Sequence, residues 1–118
     1  GYGHTSPVLL VHTATAPNAV LHTLPALPRE LWADSLTAAW AACAAITVTF
    51  APGQPPPRAD LPAAPAGTDP VTELVDRAVA HGDEHVIKFT DTATESYQRT
   101  GNPDALAACV RAAELIDR

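Results

Sequence analysis

Proline placement constrains this chain more than any other feature. A proline has a fixed φ and no backbone N–H, so it opens a helix well and interrupts one badly. Twelve prolines and six glycines are spread over 118 residues. The stretches between them read as helices. Pro7 opens "PVLLVHTATA", Pro17 opens "PNAVLHTL", and Pro25 closes that segment. Pro28 opens "PRELWADSLTAAWAACAAITVTF", in which Trp32, Leu36, Ala39, Trp40 and Cys43 recur at helical spacing and mark an expected buried face. The β-branched run Ile46-Thr47-Val48-Thr49 weakens the end of that helix.

Residues 51–70, "APGQPPPRADLPAAPAGTDP", are dense in proline and poor in large apolar side chains, and are expected to form a long surface loop. Beyond them the punctuation is regular. Asp69-Pro70 is a cap followed by a first-turn proline, with Glu73 near the positive end of the helix it starts. Gly82 stops that helix, Asp83 caps the next, Gly101 ends it, and Asn102-Pro103 starts the last. The expected fold is all-α: an irregular bundle of about five helices in a single helical domain spanning 1–118.

Composition narrows the function. Hydrophobic residues make up 47% of the chain but aromatics only 5%, so alanine supplies much of the apolar count and the helices are expected to approach closely. The net charge of −6 comes with no basic run, which argues against nucleic acid and anionic membrane as partners. No apolar stretch is read as long enough to span a bilayer and no export signal is seen, so a cytoplasmic protein is expected. Cys43 and Cys109 lie on separate alanine-rich helices and are expected as free buried thiols. No CxxC pair suggests structural zinc.

The candidate chemistry lies in polar residues placed among apolar ones. His12 follows Leu9, Leu10 and Val11, which puts its imidazole on or beside a buried face. In "GDEHVIKF", His85 and Lys88 are three apart and share a helix face, beside Val86, Ile87 and Phe89. An ammonium among apolar side chains either reaches water, pairs with a carboxylate such as Glu84, or changes its chemistry. His81 and His85 are four apart, but Gly82-Asp83 interrupts the helix between them. His4 reads as a residue of a flexible end, His22 as partly exposed, Tyr97 as a packing residue, and Asp83 and Glu84 as cap and first-turn charge.

"LLVHTATAPNAVLHTLPALP", "AAWAACAA" and "AHGDEHVIKFTDTATESYQRTGNPDALAA" together resemble the C-terminal half of the questin oxidase-like proteins. The likeness covers nearly the whole chain outside the proline-rich loop. It is most specific in H-T-x-T-A-P, D-E-H-x-I-K and R-T-G-N-P. Members of that family are helical oxygenases that oxidise anthraquinone-type polyketides. The resemblance implies a mononuclear non-haem Fe2+ held by histidines and by a carboxylated lysine, with O2 as co-substrate. Carried over residue by residue, it implies His12, His85 and Lys88 as metal ligands. A lysine in an apolar pocket has a depressed pKa, and its neutral amine reacts with CO2 to give an anionic oxygen donor.

The resemblance departs in one respect. Family members are longer, and their further histidine ligands lie in an N-terminal half that has no counterpart here. The chain is therefore expected to be a fragment or one piece of a larger assembly, with homodimerisation or pairing with the missing half. The expected function is an iron- and O2-dependent oxidoreductase acting on a small polycyclic aromatic or quinone substrate. The alternative is a non-catalytic helical assembly or interaction module.

Overall fold

The computed structural model describes residues 7–50, 53–54 and 57–116. His4 and part of the 51–70 stretch lie outside these residues. The regular structure described is helical throughout: α1 Pro7–Thr23, α2 Trp32–Phe50, α3 Pro70–His81, α4 Glu84–Thr100 and α5 Asp104–Leu115, with no strand among the described residues. The all-α expectation holds. Short 3-10 turns cover Leu24–Ala26, Arg29–Leu31 and Arg58–Asp60. The chain gathers into two compact units, Gly1–Gly53 and Gln54–Arg118.

In the first unit α1 runs straight through Pro17, where a break between two helices is expected from sequence. The physical difficulty is the carbonyl of Thr13, which loses its i+4 amide donor when residue 17 is proline. The Cys43 thiol on α2 lies 3.5 Å from that oxygen and 4.0 Å from the His12 carbonyl, and donates in place of the missing N–H. Long-range packing thus supplies what the local sequence removes. Val11 and Leu24 are buried in this unit.

The entry to α2 is fixed by Trp32, whose indole N–H donates to the Leu27 carbonyl at 3.1 Å while the Arg29 guanidinium stacks over the ring. Its partly buried positions are Trp32, Ser35, Ala39, Cys43, Ala44 and Ile46. Leu36 and Trp40, expected on that face, are 38% and 72% exposed instead, and border a hollow with Thr13 and Pro17 of α1. Residues 32, 36 and 40 and residues 32, 39 and 43 are both helical series, and the second is the better buried. The segment Arg29–Thr49 is also long and apolar enough to cross a membrane by length and composition, with a mean hydropathy of 1.3. This corrects the reading that no such stretch exists, because the alanines between the larger apolar residues also add to the hydropathy.

The second unit packs α3, α4 and α5 around Leu74, Ala93, Leu106 and Cys109, with Phe89 and Tyr97 against them. Val86 is the most deeply buried large side chain, at 1% exposure, and burial of a valine contributes about 1.5–2 kcal/mol. Each helix end has its own partner. Asp69 accepts the Thr72 amide N–H at 3.1 Å and the Thr72 hydroxyl at 2.6 Å. Gly82 and Gly101 take φ of 85° and 71°, a region that only glycine enters cheaply, and their N–H groups reach the Ala78 and Tyr97 carbonyls. Asn102 accepts the Asp104 N–H, which sets the start of α5. His81 joins two helix ends. Its Nδ1 accepts the Asp83 N–H at 3.4 Å, so Nε2 carries the proton and donates to the Ile116 carbonyl at 2.9 Å.

Two measurements check this account. Pro17→Ala restores an amide donor to Thr13 and should raise stability by about 1–2 kcal/mol. Cys43→Ala should cost about 1–2 kcal/mol in the parent chain and about 0.5–1 kcal/mol less beside Pro17→Ala. Additive values in a double-mutant cycle would remove the thiol's role.

The second check concerns acid. The Thr72 hydroxyl and then its amide hold the Asp69 carboxyl below its usual value, against a smaller opposing effect of burial. A group depressed in this way stabilises the fold above its unfolded pKa, and the contribution is lost as pH falls through the folded value. The denaturant midpoint should therefore decline below about pH 4, and Asp69→Asn, which still caps, should make that decline shallower.

Candidate functional site

Two of the three candidate ligands, His85 and Lys88, lie near the start of α4. Asp83 Oδ1 accepts the His85 backbone N–H at 2.7 Å and the Val86 N–H at 3.4 Å, the standard work of an N-cap. The same oxygen lies 3.2 Å from His85 Nδ1. The His85 amide is the largest influence holding the Asp83 carboxyl below its ordinary value; burial opposes it, and Val86 and the imidazole reinforce it. The Glu84 carboxylate has Oε1 3.9 Å from His85 Nε2 and Oε2 3.2 Å from Lys88 Nζ. Glu84 therefore bonds Lys88, while His85 Nε2 lies near it but beyond hydrogen-bond range.

Their exposure differs. The His85 side chain is 22% exposed and that of Lys88 is 59% exposed. Val86, Thr90, Ala93 and Thr94 face inward, which leaves Ile87 39% exposed rather than buried as expected. Lys88 and Ile87 line a shallow hollow of about 290 Å3 together with Val75, Ala78 and Val79. The lysine lays its stem along apolar surface and carries its ammonium to Glu84 and water. An i,i+4 pair this exposed contributes roughly 0.3–0.5 kcal/mol.

His12 lies on α1 in the first unit, partly buried directly after Val11; the α4 pair lies in the second. His81 is committed through both ring nitrogens to the helix ends it joins. His22 is exposed and Tyr97 packs on the core. Among the described residues no group of three or more His, Cys, Asp or Glu side chains is gathered as a metal cluster. Sequence reasoning missed the side-chain contact between Asp83 and His85 and the position of Glu84 between His85 and Lys88. The available signal was the unbroken D-E-H at a helix start, where the cap and the first-turn acid lie on either side of the imidazole.

Both cysteines are free thiols, with Cys43 partly exposed and Cys109 buried. Burial pushes the Cys109 thiol up to about 11, against a smaller opposing effect of the Thr90 hydroxyl.

No family model matches the chain, and no curated protein or solved structure matches it significantly.

Alkylation at mild alkaline pH should separate the two cysteines. Cys109 should react about 100-fold more slowly in the folded chain than after denaturation, because thiolate is the reactive form. Peptide mapping of the alkylated sites reads this directly, and rapid labelling of Cys109 would contradict its burial.

Proposed function

We propose that the chain is the C-terminal helical portion of a questin oxidase-like, iron- and O2-dependent oxidoreductase acting on a polycyclic aromatic or quinone substrate. The observation that carries this reading is the start of α4, where His85 and Lys88 lie within one turn, both beside Glu84, in the D-E-H-x-I-K stretch. His12, in the H-T-x-T-A-P stretch of α1, is the third proposed ligand.

The donor chemistry can be tested against iron residue by residue. An imidazole nitrogen suits iron, and His85 fits as it stands. Lys88 as an ammonium has no electron pair to give; it fits as a carbamate. In that conversion Nζ releases a proton and its electron pair forms an N–C bond to CO2. One C=O π pair moves onto oxygen, and a second proton leaves the nitrogen. The product is an N-bound carboxylate with a single negative charge. It would stand beside Glu84, and the two like charges repel unless a divalent cation lies with them. Carboxylation and metal binding at this position should therefore stabilise each other. A bound ferrous ion would bind and activate O2, with the reducing electrons drawn from the substrate or from an external reductant. The chain's own residues place both α4 ligands within one turn, and Val75, Val79 and Ile87 line a hollow together with Lys88.

A second reading, a non-catalytic helical assembly or interaction module, is favoured by one observation. On α2, Trp40 and Val48 are 72% and 86% exposed, apolar side chains that a partner would cover. In that reading the Glu84–Lys88 pair is an ordinary surface ion pair.

Lys88→Ala separates the two. Under the oxidoreductase reading, iron content after anaerobic loading with Fe2+ should fall to background. A carbamate carbon signal from isotope-labelled CO2 should be present in the metal-loaded parent and absent from the variant. Under the module reading Lys88 acetylates readily, iron content is low in both proteins, and stability changes by no more than about 0.5 kcal/mol.

A further inference from the structure

We infer that the second unit holds a small-molecule site: a half-enclosed hollow of about 200 Å3 between α3, α4 and α5 that takes a neutral, single-ring aromatic molecule. Leu74, Ala78, Val86, Thr90 and Cys109 line it, and each of these is at most 4% exposed. Arg77 and Glu114 also border it and are exposed, so they form its rim. The hollow therefore reaches from the surface into the core of the three-helix unit. It uses neither His85 nor Lys88 and is independent of the iron reading.

Its origin lies in the sequence. Ala78 on α3 and Ala113 on α5 present single methyl groups where longer side chains would fill the space beside Val86. A space of this kind forfeits dispersion contacts along its lining, and a fitting guest restores them. An apolar cavity of about 150 Å3 takes up benzene, so the volume here suits one ring.

The lining also decides the polarity of the guest. The Cys109 thiol donates to the Ala105 carbonyl at 3.4 Å, and the Thr90 hydroxyl donates to the Cys109 sulfur. A buried water needs several polar partners, and these two groups are already engaged. At the rim, Arg77 pairs with Glu73 and Glu114 with Arg111, each along its own helix. Neither charge is left over for an ionised ligand, whose burial would cost heavily. A rigid ring also loses less freedom on entry than a flexible chain. A neutral ring is the guest that these conditions select.

Toluene is the probe. Titrated into the isotope-labelled full chain, it should shift the methyl NMR signals of Leu74, Val86 and Val110 to saturation, with single substitutions assigning the signals. The methyls of Val79, exposed on the outer face of α3, should stay in place. Ala113→Leu adds apolar volume inside the hollow at little cost in helix propensity, and should weaken toluene binding about tenfold or more. Circular dichroism confirms that the variant is folded, and Val110→Phe serves if it is not. Benzoate, a similar ring with a charge, should bind about tenfold or more weakly than toluene.

Shifts that do not saturate, that appear equally at Val79, or that survive Ala113→Leu unchanged overturn the inference. Benzoate binding as tight as that of toluene overturns it as well, because the rim would then be receiving a charge.

Discussion

The layout of this chain depends on who donates to the carbonyls and accepts from the amides that helices leave unpaired at their ends. Helix termini each strand four backbone groups, and a helical protein rich in proline strands more. Asp69, Asp83 and Asn102 accept amides at helix starts, and the Gly82 and Gly101 amides close helix ends. The same need explains the two longer-range links. The Cys43 thiol serves the carbonyl that Pro17 abandons, and the His81 ring serves the Ile116 carbonyl. In each case a side chain of modest hydrogen-bonding power has a fixed place because a backbone atom requires it.

That economy shapes the core. With alanine as the main apolar residue, helices sit close and little large side-chain volume is left to bury. Leu74, Val86 and Leu106 fill the second unit, while Trp40, Val48 and Val79 stay outside. Alanine lets backbones approach but offers little apolar area per residue. Stability must then come from well-satisfied backbone groups and a few deeply placed branched residues, which fits a structure with no unsatisfied buried side-chain polar atom among the described residues. The buried Thr94 illustrates this, since its hydroxyl donates back to the Thr90 carbonyl at 2.8 Å.

What could be read from sequence divides along the same line. The ends of α3 and α4 were legible because Asp69, Gly82, Asp83 and Gly101 act within a turn of their own position. Continuity through Pro17 was not legible, because its compensation comes from Cys43, far away in the chain. The inward face of α2 was half legible: Trp32, Ala39 and Cys43 were placed correctly, but Leu36 and Trp40 obey the same spacing and nothing local separates them. At the site, the proximity of His85 and Lys88 follows from helix geometry alone. The direction of Lys88 does not, because a long stem beside Ile87 can end in a hollow or in water, and the choice was set by Glu84 one turn back.

Glu84 also determines what the lysine can become. As an ammonium, Lys88 has that carboxylate 3.2 Å from Nζ. As a carbamate, it is destabilised by the same group. A carboxylated Lys88 beside Glu84 without a cation is thus the least favourable of the charge states available to this turn. Under the proposed iron site, a divalent cation would be needed to offset the two anions. A surface ion pair requires only Glu84 and Lys88. Asp83 caps α4 and lies 3.2 Å from the His85 ring in either reading, so the chemical state of Lys88 is what separates them.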